Sequence, residues 1–182
     1  MLLPTRPLRI GERAPDFHLK GVDGKTYSLE SFRDKRVLVV IFSCNHCPVV
    51  KAYEDRMIAI QRDYEPQGVQ LVAINSNDDK AFPEDSFDNM VKRAREKGFN
   101  FPYLRDETQE VARAYGPTVT PEVFVFDEAR TLVYHGRIDD SKDPNSVTRH
   151  DLRNVLDSLL RGEKPPITET RPFGCSIKWR EA

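Results

Sequence analysis

The chain has 182 residues and a formal net charge of −1 at pH 7, and 31% of its residues are charged. This balance of both signs excludes the basic surface that nucleic-acid-binding proteins use. Apolar runs are far shorter than the roughly 18 residues of a membrane span, and the first residues lack the pattern of a signal peptide. We therefore expect one cytoplasmic domain with a hydrophobic core, without a nucleic-acid or membrane partner.

Three cysteines, an odd number, are present. A secreted disulfide scaffold normally carries an even number, whereas an enzyme with a redox pair and one further thiol is consistent with three. The composition therefore favours reactive cysteines over a structural disulfide framework.

The most informative stretch begins with the apolar run from Val37 to Phe42, which predicts a strand buried on both faces because it shows no alternation with polar residues. Cys44 and Cys47 follow this strand. Pro48 suits the first turn of a helix, where its missing N–H is not needed, and an amphipathic pattern then continues to Tyr64. Both cysteines are thus predicted at a helix N-terminus.

That position predicts reactive thiols, because the helix dipole and the unpaired N–H groups stabilise a thiolate. His46, when protonated, adds a cation that favours the reduced, ionised pair and makes the disulfide more oxidising. The simpler alternatives are a buried cysteine pair and half of a zinc site. Zinc needs two further ligands, and the sequence offers no second pair of suitable spacing, so we expect no metal and no cofactor.

Two further elements flank the motif. A hairpin is predicted from Ala14 to Leu29, with the Asp23-Gly24 turn between two alternating segments. A second buried strand, 69–75, follows the cysteine helix at the spacing of a right-handed crossover. The two buried strands are therefore expected to be parallel neighbours.

The second half of the chain begins with a polar loop at the carboxyl end of this strand, and residues 77–79 in it are expected to form a solvated turn. Strands 122–126 and 131–135 are separated by a short polar turn and should be antiparallel. Thr148 is expected to cap a final amphipathic helix that ends at Gly162.

This order of elements resembles the thioredoxin fold, an α/β fold. More narrowly, Ala14-Pro-Asp-Phe17, the Asp23-Gly24 turn and Cys44-x-x-Cys47 resemble the redoxin group. That group includes peroxiredoxins of the AhpC/TSA type and thioredoxin-like thiol–disulfide oxidoreductases.

The resemblance covers residues 11–162 and predicts a redoxin domain with an amino-terminal β-hairpin. Residues 1–10 form an expected N-terminal arm on the surface. Residues 163–182 form a C-terminal extension that carries Cys175.

Thr120 and Pro121 match the residue pair that holds a cis peptide beside the disulfide in thioredoxins. The resemblance implies that the backbone of Thr120 pairs with a bound substrate chain. It also implies that Pro121, which lacks an N–H, leaves the sulfurs unobstructed.

Three positions depart from these families. Leu38 stands where thioredoxins carry a buried aspartate, so a carboxylate that could accept the second cysteine's proton is missing unless another part of the chain supplies one. Cys47 followed by proline fits a peroxiredoxin, but Cys44 occupies the position of its Thr or Ser. Glu122 or a neighbour stands where its arginine is expected, which weakens peroxidase chemistry because a developing negative charge loses an oriented partner.

Cys175 has two readings that the sequence leaves open. A free cysteine packs as a small hydrophobe, and the apolar residues Phe173, Ile177 and Trp179 around it predict a docked tail. Alternatively, the tail reaches back to the motif and Cys175 is a third redox thiol.

We expect a thiol–disulfide oxidoreductase, monomeric or weakly dimeric, that acts on protein or small-molecule disulfides and is paired with a thiol reductant. Cys44 attacks, Cys47 resolves, His46 tunes the pair, and Thr120 with Pro121 orients the substrate. The alternatives are an antioxidant peroxidase that acts on peroxides, with Cys47 forming a sulfenic acid that Cys44 resolves, and a thiol metal carrier or redox-sensing binding module.

Overall fold

The computed structural model describes residues 6–181. The strands are β1 (Leu19–Gly21), β2 (Thr26–Tyr27), β3 (Val37–Ser43), β4 (Val69–Asn75), β5 (Tyr103–Arg105), β6 (Val119–Thr120), β7 (Glu122–Phe126), β8 (Leu132–Gly136) and β9 (Cys175–Ser176). The helices are α1 (Pro48–Tyr64), α2 (Phe87–Lys97), α3 (Glu110–Tyr115) and α4 (Asp151–Leu160). Within the described range, no helix has the length and apolarity needed to cross a membrane.

Seven strands form one mixed sheet in the order β2-β1-β5-β4-β3-β7-β8, and β6 pairs with β9 outside it. The predicted parallel pairing of β3 with β4 is confirmed, as is the antiparallel pairing of β7 with β8. β3 is antiparallel to β7. The chain segments after Ser43, after Asn75 and before Glu122 therefore meet at one edge of the sheet.

Alternate residues of β3 pack into two hydrophobic clusters, one on each face of the sheet. Val39 and Ile41 pack with side chains of α1, α2 and α4, whereas Val40 and Phe42 pack with α3 on the other face. The strand is covered on both sides, which explains its continuously apolar sequence. Burial of each such side chain contributes roughly 1.5–3 kcal/mol, so the position of the residues that follow β3 is well fixed.

The amino-terminal hairpin is present, which confirms the prediction, although its strands are short. Leu19 lies opposite Tyr27 in the antiparallel β1–β2 pair, and β1 extends the main sheet by pairing with β5. Of the predicted N-terminal arm, residues 1–5 lie outside the described range. Leu8 is buried, and its amide donates to the carbonyl of Tyr115 at 2.8 Å.

The final helix begins later than expected. α4 starts at Asp151, and Thr148 does not cap it. The amide and hydroxyl of Thr148 donate instead to the carboxylate of Asp140, so they belong to the preceding loop. The cap prediction was wrong because the side chain found an acceptor outside the helix.

The C-terminal extension returns to the sheet edge at which the cysteine motif lies. β9 pairs antiparallel with β6, with Cys175 opposite Thr120. Ile177 is buried, and Trp179 packs against the cluster on the α3 face. The docked tail predicted from these apolar residues is therefore confirmed.

Candidate active site

The two motif cysteines lie at the junction of β3 and α1. Cys44 follows the last residue of β3, and Cys47 is the N-cap residue of α1 with Pro48 in the first turn. Both side chains are buried: Cys44 is 2% exposed and Cys47 is fully buried. Both are free thiols in this structure. The predicted strand–cysteine–helix arrangement is confirmed, and Cys47 occupies the position nearest the helix dipole.

The segment before β7 lies directly against both sulfurs. The Sγ atom of Cys44 is 3.5 Å from the hydroxyl oxygen of Thr120, and the Sγ atom of Cys47 is 3.7 Å from the carbonyl oxygen of Thr120. The Thr120-Pro121 peptide bond is cis. The structure thus brings together four residues that the sequence nominated separately, namely Cys44, Cys47, Thr120 and Pro121.

The pKa values of the two motif thiols are shifted in opposite directions. The thiol of Cys44 donates to the sulfur of Cys47, which lowers the pKa of Cys47 to about 4, with further help from the Cys175 thiol, the Val50 amide and the Cys175 amide. The same hydrogen bond raises the pKa of Cys44, and burial and the nearby Asp85 carboxylate act in the same direction. At rest, the negative charge of the pair therefore resides on Cys47.

His46 points toward a buried carboxylate from a different part of the chain. Its Nδ1 atom lies 2.7 Å from Oδ2 of Asp85, and its ring stacks on Phe82 with centroids 6.2 Å apart. Asp85 is fully buried. It accepts hydrogen bonds from the amide of Asn45 at 2.7 Å and from the side chains of Asn75 at 3.2 Å and Asn77 at 3.0 Å.

Asp85 is a site residue that the sequence did not identify. The sequence predicts only that Asp85 or Ser86 caps the next helix, and Ser86 is the residue that caps α2. Asp85 supplies a carboxylate beside Cys44, whereas the position in β3 where thioredoxins carry theirs is Leu38. The only sequence signal was its place after the carboxyl end of a buried strand, where sites gather.

One group of potential metal ligands exists among the described residues. A sulfur of Cys44, a ring nitrogen of His46 and a carboxylate oxygen of Asp85 lie within 4.8 Å of one another. The hydrogen bonds that Asp85 accepts, together with its contact with His46, already account for this carboxylate. We assign no metal to the group.

Glu122 organises the segment on the other side of the sulfurs. Its side chain is buried and accepts hydrogen bonds from the amides of Thr118 at 2.9 Å and Val119 at 3.2 Å. Its second oxygen lies 2.5 Å from Nε2 of His135. The carboxylate of Glu122 therefore fixes the backbone before Thr120.

The polar loop after β4 is not the solvated turn that the sequence suggested. Asn77 and Asp78 are buried, and they bind the C-terminal extension. The amide of Asp78 donates to the carbonyl of Lys178 at 2.8 Å, and the amide of Lys178 donates to the side chain of Asn77 at 2.9 Å. The prediction was wrong because the loop's partner lies about a hundred residues away in sequence.

The third cysteine is part of the same site. Cys175 packs against the small cluster formed by Cys44, Cys47 and Val50. Its backbone faces Thr120 in the β6–β9 pair, and burial raises its pKa, with Cys47 as the second cause. The structure therefore brings all three cysteines of the chain to one place.

Comparisons with known proteins agree with this arrangement. The model of the AhpC/TSA family matches residues 10–135. Thiol-disulfide oxidoreductase ResA of Geobacillus thermodenitrificans is 27% identical over 152 residues, which are 82% of this chain and 78% of that protein.

Two solved structures are more similar in sequence. An uncharacterized conserved protein from Geobacillus kaustophilus is 45% identical, with a TM-score of 0.91 over 96% of this chain and 94% of that chain. A hypothetical protein from Sinorhizobium meliloti 1021 is 40% identical, with a TM-score of 0.92 over 97% and 98%. The fold is a thioredoxin-like α/β fold, and the chain belongs to the AhpC/TSA family.

Proposed function

We propose that this thiol–disulfide oxidoreductase exchanges disulfides of protein substrates through Cys44 and Cys47. The observation that carries this mechanism is the β6–β9 pair, in which an extended segment already lies along Thr120 beside both sulfurs. A substrate chain in the same position places its disulfide next to the motif, since pairing with an exposed strand is a general mode of peptide recognition.

Substrate binding activates Cys44 in this mechanism. At rest, Cys44 donates its proton to a hydrogen bond with Cys47, and Cys175 stabilises the Cys47 thiolate further. A substrate chain that displaces the extension removes the hydrogen bonds from Cys175. The Cys47 thiolate becomes more basic and accepts the proton of Cys44 as Cys44 attacks the substrate sulfur, so that Cys44 reacts as the thiolate.

The exchange has two steps. The Cys44 thiolate attacks one sulfur of the substrate disulfide, so that a mixed disulfide forms and the other substrate sulfur leaves as a thiolate. Cys47 then attacks the sulfur of Cys44 and releases the second substrate thiolate. The substrate gains two electrons, the chain keeps a Cys44–Cys47 disulfide, and a thiol reductant must restore the reduced pair.

The remaining predicted site residues position this chemistry. Thr120 offers its backbone to the substrate and its hydroxyl to Cys44, and Pro121 has no N–H that competes for the sulfurs. The positive charge of a protonated His46 offsets the Asp85 carboxylate, which otherwise opposes ionisation of Cys44.

Peroxidase activity is the second candidate, and the low pKa of Cys47 favours it. A thiolate at the N-cap of α1 can attack a peroxide oxygen, with an alkoxide or hydroxide leaving, and Cys44 then attacks the sulfenic acid to give a disulfide and water. The buried Glu122 opposes this reaction because a carboxylate does not stabilise the developing negative oxygen. The antioxidant role and the cytoplasmic location expected from the sequence remain predictions.

A single-turnover experiment separates the two candidates. Reduced wild-type protein, Cys44→Ser and Cys47→Ser are each mixed with insulin, as a protein disulfide, and separately with hydrogen peroxide. We expect a mixed disulfide with insulin to accumulate on Cys44 in Cys47→Ser, because the resolving thiol is absent. We expect Cys44→Ser to form far less adduct and the wild type to consume peroxide slowly.

The opposite pattern would support the peroxidase. Rapid peroxide consumption that persists in Cys44→Ser and disappears in Cys47→Ser identifies Cys47 as the peroxide-reacting thiol. The double variant Cys44→Ser/Cys47→Ser is the blank for both substrates, since it keeps Cys175 and the fold.

A further inference from the structure

The C-terminal extension holds its cysteine in the position that a substrate occupies. Cys175 lies directly opposite Thr120 in the antiparallel β6–β9 pair, and its side chain packs against the cluster that contains both motif sulfurs. The approach is close because residue 174 is glycine: a Cβ atom there would lie 1.9 Å from the carbonyl oxygen of Thr120. The fold therefore contains an internal substrate-like strand with a thiol.

Several contacts fix this strand in place. The amide of Ile177 donates to the carbonyl of Thr118 at 3.1 Å, and the carbonyl of Lys178 accepts a hydrogen bond from Gln109 at 3.0 Å. Arg180 forms ion pairs with Asp78 at 3.2 Å and Glu107 at 3.2 Å. Contacts along this whole segment, rather than a single chance approach, place Cys175 beside the motif.

The three cysteine residues differ in solvent exposure. Cys44 and Cys47 are buried, whereas Cys175 is half-buried. With the extension in place, a disulfide between Cys44 and Cys47 is shielded from an external reductant. Cys175 is the sulfur of the cluster that such a reductant can reach.

We propose that Cys175 is a third redox thiol that takes over the disulfide from the motif. This inference rests on the proposed function, which supplies the Cys44–Cys47 disulfide. When the extension returns after substrate release, the sulfur of Cys175 attacks the sulfur of Cys47. The Cys47–Cys175 bond forms, the Cys44–Cys47 bond breaks, and Cys44 leaves with the electron pair and takes the proton that Cys175 gives up. No external oxidant is needed.

The transfer moves the oxidised group toward solvent. A reductant of the dithiol class attacks the sulfur of Cys175, and Cys47 leaves as a thiolate at the N-cap of α1, where the helix dipole stabilises it. The second thiol of the reductant then attacks the reductant–Cys175 bond and frees Cys175. The chain thus takes oxidising equivalents at Cys44 and passes them on at Cys175.

Peptide mapping of the full-length protein tests this proposal. Reduced wild-type protein is oxidised with insulin, quenched with acid, alkylated and mapped by mass spectrometry without reduction. We expect a Cys47–Cys175 link together with an alkylated Cys44. In Cys175→Ser the expected end product is the Cys44–Cys47 disulfide, and its reduction by dithiothreitol should be at least about tenfold slower than in the wild type, since only shielded sulfurs remain.

A matched control moves the thiol by one residue. Cys175→Ser/Ser176→Cys keeps three cysteines but turns the third to the opposite side of β9, and it should behave as Cys175→Ser does. A Cys44–Cys47 disulfide with Cys175 fully alkylated at every time point would overturn the inference while the proposed function stands. Failure of insulin to oxidise the motif at all would overturn both.

Discussion

The sulfur of Cys47 accepts hydrogen bonds from several directions at once. The thiols of Cys44 and Cys175 approach it from two different segments, and the amide of Val50 approaches from the first turn of α1. Charge-assisted hydrogen bonds contribute about 1.5–3 kcal/mol each. Together they outweigh the cost of placing a thiolate in a fully buried position, so they decide which of the two motif cysteines carries the charge.

Removal of the strongest donor should therefore raise the pKa of Cys47. In Cys44→Ala we expect an increase of about one to two in that pKa, because about 1.4 kcal/mol corresponds to one pH unit. The ultraviolet absorbance of the thiolate, followed by acid titration, measures it. In the wild type, the thiolate is present above pH 4 and is protonated as the pH falls through about 4.

A matched substitution tests the cause. Cys175→Ala removes a weaker donor and keeps the Cys175 amide, so its effect on the pKa of Cys47 should be smaller than that of Cys44→Ala. Equal effects of the two substitutions, or a wild-type thiolate that disappears near the ordinary pKa of cysteine, would show that the hydrogen bond from Cys44 is not the main cause.

The residues of this site were predictable to different degrees. Cys44, Cys47 and the Thr120-Pro121 pair stand in local motifs, and a local motif can be read from the sequence. Asp85 could not be read in this way, because its contact with His46 joins segments that are far apart in the chain and are brought together by the sheet. Buried polar networks of this kind depend on the fold as a whole.

At the level of elements, long segments with a clear hydrophobic pattern were predictable, and the short β6–β9 pair was not. β3 and β4 are mostly apolar runs, and α4 carries an apolar stripe at the helical period, so each pattern is long enough to define an element. β6 and β9 have two residues each, too few for any period, and their pairing connects parts of the chain more than fifty residues apart. The position of the extension therefore required the structure.

The β6–β9 pair should be sensitive to one added methyl group. Gly174→Ala places a Cβ against the carbonyl of Thr120, and such overpacking typically costs about 1–3 kcal/mol. We expect β9 to leave β6, so that the motif cysteines of the reduced protein react faster with iodoacetamide. Hydrogen exchange at the amide of Ile177, which donates to Thr118, should also accelerate.

Ser176→Ala is the control for this experiment, because its side chain is exposed on the same strand. It should leave both the alkylation rate of the motif and the exchange of the Ile177 amide close to those of the wild type. Unchanged alkylation in Gly174→Ala would contradict the view that the extension covers the motif.

At the level of the whole molecule, the sheet order explains why three separate loops meet the extension. β4 is the parallel neighbour of β3, and β5 is the parallel neighbour of β4, so all three end at the same edge. The loops after β4 and β5 therefore lie on the same edge as the motif and the segment before β7. The extension crosses all three loops: it pairs with Thr120, binds Asn77 and reaches Glu107. It therefore connects the motif to the rest of that edge.

Ion pairs hold the carboxyl-terminal end of the extension, so we expect its release to depend on salt concentration. Arg180 is partly exposed and pairs with Asp78, Asp79 and Glu107. Exposed ion pairs contribute about 0–1 kcal/mol each and are screened by salt. Arg180→Ala should thus change the free energy of unfolding by no more than about 1 kcal/mol, while the extension opens more often.

The rate at which the motif cysteines are alkylated measures opening of the extension separately from unfolding of the whole protein. We expect iodoacetamide to label the motif cysteines of reduced Arg180→Ala about twofold to fivefold faster, which corresponds to about 0.4–1 kcal/mol. Added salt should accelerate labelling of the wild type and have little effect on the variant, since the ion pairs are already absent. Arg161→Ala removes the exposed pair with Glu163, which lies at the start of the extension and not at the end that Arg180 holds, and should label as the wild type does. If Arg180→Ala and Arg161→Ala label at the same rate, the ion pairs of Arg180 do not hold the extension closed, and its release is governed by the β6–β9 pair alone.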